Sequence, residues 1–210
     1  GTEQGFNGGQ DPYDREDMFD GEFEFDDSLG DNFNMTHDLF LHVRKLNLLR
    51  EAYPALRLGS FSNRWENFDG PGIFVYTKIL NTQTVVVAFN TSDQPQTPTW
   101  FGNGPQSTLT NGTVLVDVLG NLSNLIVGAN MTLPGQIGLT LPAHASAILV
   151  PQQEQQTLPP TITACSPAHD EAEVLRDRAI VIDFDQPMNT AMVENAFSIT
   201  PAAQGTFSWS

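Results

Sequence analysis

The sequence predicts a mainly β protein with one amphipathic helix near its start. Two observations carry this. First, short runs rich in β-branched and aromatic residues recur from residue 59 onward, each bounded by a cluster of Gly, Pro, Asn or Asp. Second, a single stretch, Leu39 to Tyr53, repeats its apolar residues at three- and four-residue spacing.

The chain opens on a loop, Gly1 to Phe19. Glycines at 1, 5, 8 and 9 lead into Asp11-Pro12-Tyr13-Asp14-Arg15-Glu16-Asp17, with no strand or helix period. A glycine-rich bend carrying an acid and an arginine is a way for a rigid scaffold to present charged groups to a ligand. Residues 20 to 34 stay acidic and aromatic, again without a period.

The helix follows. Thr36 reads as its N-cap, with Asp38 in the first turn favourable to the helix dipole. Leu39, Phe40, Val43, Leu46, Leu49 and Tyr53 form one face, and Pro54 ends it. The chain offers no second helix of this kind to cover that face, so the expectation is that part of a larger body is absent.

Strands are predicted at 73–76, 84–89, 113–119, 138–141 and 147–150, with turns such as Asp69-Gly70-Pro71-Gly72 and Gly102-Asn103-Gly104-Pro105 between them. Strands with turns at this spacing predict an antiparallel β-sandwich over 59–152. The polar, low-complexity stretch 153–158 reads as a linker ahead of Pro159-Pro160. Beyond it, 161–164, 179–184 and 197–200 read as strands of a partial sandwich, 159–210, roughly half of an Ig-like domain.

Charge excludes some partners. The formal net charge is −16, and residues 1 to 38 hold twelve of the 25 acids against one base, Arg15. Nucleic acid is excluded as a partner, because phosphate binding needs clustered Lys and Arg. No apolar run reaches the roughly 18 residues of a membrane-spanning helix. Asp26-Asp27-Ser28-Leu29-Gly30-Asp31 lacks the spacing and terminal Glu of an EF-hand loop. The lone Cys165, flanked by apolar residues in alternation, excludes an internal disulfide and reads as a buried strand residue. Five Asn-x-Ser/Thr sequons, at Asn34, Asn90, Asn111, Asn121 and Asn130, matter only in a glycosylating secretory pathway.

GTEQGFNGGQDPYDRED at 1–17 closely resembles the segment after the eighth barrel strand in glycoside hydrolase family 13, the α-amylase family. Gly1, Glu3 and Gln4 match its first part, and Gly8-Gly9-Gln10-Asp11-Pro12-Tyr13-Asp14-Arg15-Glu16 its second. The stretch 46–57, with Arg50, Pro54, Ala55 and Leu56, resembles the final barrel helix, and 59–152 resembles domain C through its Leu-Pro-Ala-His-Ala-Ser-Ala run. Residues 159–210, with Ile182-Asp183-Phe184-Asp185-Gln186-Pro187-Met188-Asn189, resemble a bacterial Ig-like domain.

The resemblance implies a (β/α)₈ barrel whose last loop and helix are residues 1–58, with its site at the C-terminal ends of the strands. It implies that Asp11 and Arg15 contact a glucan a few sugars from the cut bond, while Glu3 serves as a hydrogen-bond partner at the strand end. A carboxylate accepts from vicinal hydroxyls and a guanidinium fork donates to them, so the chemistry suits both residues. An Asp11–Arg15 pair that only staples its own loop is the alternative. Family members cleave α-1,4-glucans with retention, using two carboxylates about 5–5.5 Å apart. Those acids lie upstream in the family, so this chain is expected to be inactive alone and to hold no cofactor. Calcium, common in the family, belongs to the full-length enzyme. The expected location is extracellular, with any signal peptide outside this chain. A cyclodextrin-forming transglycosylase, and a non-catalytic carbohydrate-binding protein using Trp65, Trp100 or Trp209, stand as the alternatives.

Overall fold

The computed structural model describes residues 1–5, 34–168 and 171–210, which fall into two compact units. One comprises Leu46–Leu158, the other Gly1–Lys45 with Pro159–Ser210. The expected mainly β, antiparallel architecture is the one observed.

Leu46–Leu158 is built on a six-stranded antiparallel sheet of β1 (Ser60–Trp65), β2 (Ile73–Leu80), β3 (Gln83–Asn90), β4 (Val114–Asp117), β5 (Leu125–Ile126) and β6 (Ser146–Pro151). Their spatial order is β1-β2-β3-β6-β4-β5. β2 and β3 form a hairpin in unbroken register from Ile73↔Asn90 to Leu80↔Gln83. Its turn places Asn81 at φ 53°, a left-handed conformation that asparagine tolerates better than most residues.

Alternation along each strand divides the core into two clusters, one on each face of the sheet. Val75, Val86, Ala88, Leu115, Ala147 and Leu149 face Val127, Ile137, Leu139 and Leu141. Long loops, tied by the bridges Gln96↔Leu141 and Gln106↔Gln136, build that covering layer. Val85, Val87, Ile148 and Val150 point the other way, against Leu49, Tyr53 and Ala55. The central strand β3 is thus buried on both faces, which is why Val85 to Ala88 is a continuous apolar run instead of an alternation. Expected strand 138–141 supplies core side chains but forms only the Gln96↔Leu141 bridge, and β1, unpredicted, adds an edge strand.

The helix α1 runs Asp38–Ala52. Thr36 is not its cap. Its hydroxyl and amide bond to Asn34 Oδ1 at 2.8 and 2.9 Å, and His37 takes the cap position. There His37 accepts from Leu41 N–H through its carbonyl (2.9 Å) and from Leu39 N–H through Nδ1 (3.3 Å). The apolar stripe is used unevenly: Leu39 and Val43 are exposed, whereas Leu49 and Tyr53 are fully buried. Pro54 ends α1 and at once caps a second short helix, α2 (Ala55–Leu58), whose first amide is held by Gln83 Oε1 at 2.8 Å. The helical end therefore covers its buried face with the β-sheet, without a partner helix.

The stretch read as a linker is tied down on this unit. Gln152–Glu154 forms a 3₁₀ turn, Gln156 N–H donates to the Tyr53 hydroxyl at 2.9 Å, and Leu158 packs against the helix-side cluster.

In the other unit, β7 (Ile162–Ser166) pairs antiparallel with β8 (Val181–Phe184). The expected strand at 197–200 is irregular. An unpredicted helix, α3 (Thr190–Ala196), precedes it, capped by Asn189 Oδ1 accepting from Met192 N–H at 3.1 Å. Cys165 lies on β7 as expected but is exposed, because that strand is open on both faces. Its thiol donates to the Pro167 carbonyl.

Candidate functional site

The site residues expected from sequence, Asp11 and Arg15, lie outside the described residues, as does the acidic stretch 26–31. What the structure shows is the chain on either side of them. Thr2–Gln4 forms a 3₁₀ turn that closes on Gly5 at φ 70°, a conformation glycine adopts without penalty. A side chain at Gly5 would meet the His37 ring, with Cε1 at 3.0 Å.

Gln4, almost fully buried, uses its carboxamide as a two-point clamp. Its Oε1 accepts from Asn34 N–H at 2.8 Å and its Nε2 donates to the Asn34 carbonyl at 3.2 Å. The Asn34 side chain in turn holds Thr36. The clamp joins two positions 30 apart in sequence, just ahead of α1. The sequence gives no signal of the Gln4–Asn34 clamp, since nothing in spacing or pattern joins residues 30 apart.

Glu3 lies in the Thr2–Gln4 turn, its carboxylate 3.3 Å from the Gly1 ammonium. A hydrogen bond from its own backbone amide, then the ammonium, hold its carboxyl below the usual range. Among the described residues no group of three His, Cys, Asp or Glu side chains could hold a metal ion, and no helix is long and apolar enough to cross a membrane.

The three tryptophans have different surroundings. Trp65 packs at the margin of the core and Trp209 donates Nε1–H to Glu194 at 2.8 Å, but Trp100 is 70% exposed.

No family model matches this chain. The structure is similar to the Gamma-CGTase of alkalophilic Bacillus clarkii, with a TM-score of 0.52 at 22% identity over 80% of this chain and 22% of that one. It is also similar to an Anoxybacillus alpha-amylase, with a TM-score of 0.50 at 24% identity over 72% of this chain and 28% of that one. These likenesses bear on the fold alone, which is mainly β and antiparallel.

Sequence relatives carry the point further. The chain is 36% identical over 132 residues to the beta/alpha-amylase of Paenibacillus polymyxa, covering 63% of this chain and 9% of that protein. It is 33% identical over 150 residues to the cyclomaltodextrin glucanotransferase of Bacillus licheniformis, covering 70% of this chain and 18% of that one. Over most of its length the chain is similar in sequence to a beta/alpha-amylase and to cyclomaltodextrin glucanotransferases. It spans less than a fifth of these two relatives.

Proposed function

We propose that this chain is the C-terminal portion of an α-amylase-type enzyme that hydrolyses α-1,4-glucans with retention. Residues 1–58 are the last barrel loop and helix, 59–152 domain C, 153–158 the connection, and 159–210 part of an Ig-like domain. The carrying observation is the identity to a beta/alpha-amylase over 132 residues. Asp11 and Arg15, between the clamped Gln4 and Asn34 in sequence, are on this reading the residues that meet a glucan beside the reaction centre.

The sheet supports the same reading. Beyond the patch that takes Leu49 and Tyr53, an aromatic strip continues across β1, β2 and β3. Tyr76 stands 5.1 Å from Phe61, 5.8 Å from Phe74 and 6.1 Å from Phe89 between ring centroids. Phe61 is 56% exposed, an apolar edge suited to receiving the rest of a catalytic barrel. The two catalytic carboxylates belong to that barrel, so this chain alone is inactive, and the parent is secreted, with calcium bound outside this portion.

In the complete enzyme, Asp11→Ala or Arg15→Ala is expected to weaken binding of maltooligosaccharides about tenfold while leaving the fold intact, the scale of losing one charge-assisted hydrogen bond. Steady-state kinetics on a series of chain lengths reads this as a rise in KM. Unchanged kinetics in both variants would remove the contact role.

Transglycosylation is the second reading, favoured because relatives include cyclomaltodextrin glucanotransferases. The acceptor, water or sugar, separates the two. Linear products from starch support hydrolysis, and cyclic products overturn it.

A further inference from the structure

An exposed aromatic pair stands where the core has no use for it. Trp100 and Phe101 are 70% and 85% exposed, adjacent in sequence, with ring centroids 5.3 Å apart and planes inclined by 51°. Leaving two large aromatic side chains in water gains nothing for folding, since burial would stabilise the chain by about 1.5–3 kcal/mol for a Phe alone.

The backbone beneath them is fixed. Trp100 N–H donates to the Asn103 carbonyl at 2.8 Å and Asn103 N–H returns to Trp100 at 2.9 Å. Between them Phe101 sits at φ 50° and Gly102 at φ 77°, so a bulky aromatic is held in a left-handed conformation it would not choose. Thr132 Oγ donates to the Gly102 carbonyl at 3.3 Å, and the buried Gln136 donates to Asn103 Oδ1 at 3.3 Å. The turn is thus anchored to the loop layer of the sheet. Rigid aromatics with few rotatable bonds lose little entropy on binding.

Charge selects the kind of ligand. In a chain of net charge −16, residues 94–143 carry one charged side chain, Asp117, and it is buried. Anionic ligands such as nucleic acid or lipid headgroups would need cations there, and the segment has none. A neutral ligand with an apolar C–H face and hydroxyl edges, which is a sugar ring, matches both the aromatic surface and a segment without exposed charge. The 51° inclination between rings offers a bent surface. That suits two successive residues of an α-linked glucan, whose chain turns at each linkage, better than the flat ribbon of a β-1,4-glucan.

We propose that Trp100 and Phe101 form a non-catalytic α-glucan contact on the sheet domain. This rests on the reading of the parent as a glucan-acting enzyme, and gives it a second point of attachment to polymeric substrate. Tethering by two sites raises the effective concentration of chain at the catalytic one.

Native gel electrophoresis of the 210-residue chain through amylopectin tests it, with hydroxyethylcellulose as the flat-chain control. The chain is expected to be retarded by amylopectin and not by hydroxyethylcellulose. Trp100→Ala/Phe101→Ala should weaken retention about tenfold, the loss typical of truncating an aromatic anchor, while Trp100→Phe keeps most of it. Because both side chains project into solvent, the double variant should keep the wild-type thermal midpoint. Absent retention, retention unchanged in a folded double variant, or equal retention by the cellulose derivative would each overturn the proposal. A parent that cleaves starch while this chain is not retarded sinks the platform alone. Retention through Trp100 in a parent without action on starch sinks the enzymatic reading alone.

Discussion

Two residues show how buried polar groups fix the sheet domain. Asp117 ends β4 with a carboxylate that accepts four backbone amides: Ile148 and Leu119 on Oδ1, both at 3.0 Å, and Asn121 and Leu122 on Oδ2, at 2.7 and 3.1 Å. It ties the 117–122 turn to β6. Asp117→Ala leaves those donors without an acceptor, one of them fully enclosed, and is expected to cost about 2–4 kcal/mol. Denaturant unfolding checks it, and a loss under about 0.5 kcal/mol would mean water replaces the carboxylate. Tyr53 is the second. Burial pushes its phenol above the ordinary 10.0, against the lowering effect of the Gln156 amide. A raised tyrosine contributes stability that is intact below its unfolded value and is lost as pH rises through the folded one. Unfolding free energy is therefore expected to decline above about pH 10. In Tyr53→Phe that decline should be shallower, leaving the part due to Tyr76, whose phenol burial also raises. The same variant strands Gln156 N–H, at about 1–2 kcal/mol. An equally steep decline in the variant would assign the alkaline loss elsewhere.

At the scale of elements, what could be read in advance follows from what sequence patterns encode. A pattern records which side chains are apolar, and so which enter a core. It does not record which backbone groups pair. The run Thr84 to Phe89 was legible as a strand because a strand covered on both faces has no polar register. The alternation of Leu139 and Leu141 was equally legible as burial, yet it belongs to a loop layer with a single bridge. The stripe of α1 was visible, but its split into an exposed first half and a buried second half depends on where the sheet ends, which no local window contains. The helix α3 was missed because seven residues, Thr190–Ala196, are too few to show a period; its start rests on one side-chain cap, Asn189. Likewise, exposure of Trp100 and burial of Gln4 are tertiary outcomes. Asp11 and Arg15, the site residues expected from sequence, lie outside the described residues, and the Gln4–Asn34 clamp left no trace in the sequence pattern.

At the scale of the molecule, charge and packing are distributed together. The strongly acidic residues 1–38 and the nearly uncharged residues 94–143 belong to different units. Leu46–Leu158 holds both apolar clusters, whereas in 159–210 Leu175, Ile180, Val181, Met192, Phe207 and Trp209 are all exposed. Limited proteolysis is expected to cut first in 1–45 and 159–210 and to leave a product close to 46–158 by mass. That is longer than the 59–152 suggested by strand pattern, because Leu49, Tyr53 and Leu158 pack on the sheet. A stable product beginning near 59, or resistance of all 210 residues, would contradict this division.

One corner of that unit has a bearing on how the protein can be made. The carboxamide of Asn90 donates to the carbonyls of Gln94 (2.8 Å), Leu141 (3.1 Å) and Pro142 (2.8 Å), and accepts from Ser92 N–H at 3.0 Å. It is also the acceptor position of the sequon Asn90-Thr91-Ser92. A glycan attached there before folding would occupy the nitrogen that holds three carbonyls together and wedge the end of β3 away from residues 141–142. Production in a host that glycosylates secreted chains therefore sets sugar attachment against closure of this corner, whereas a bacterial host without that machinery leaves Asn90 to its structural task.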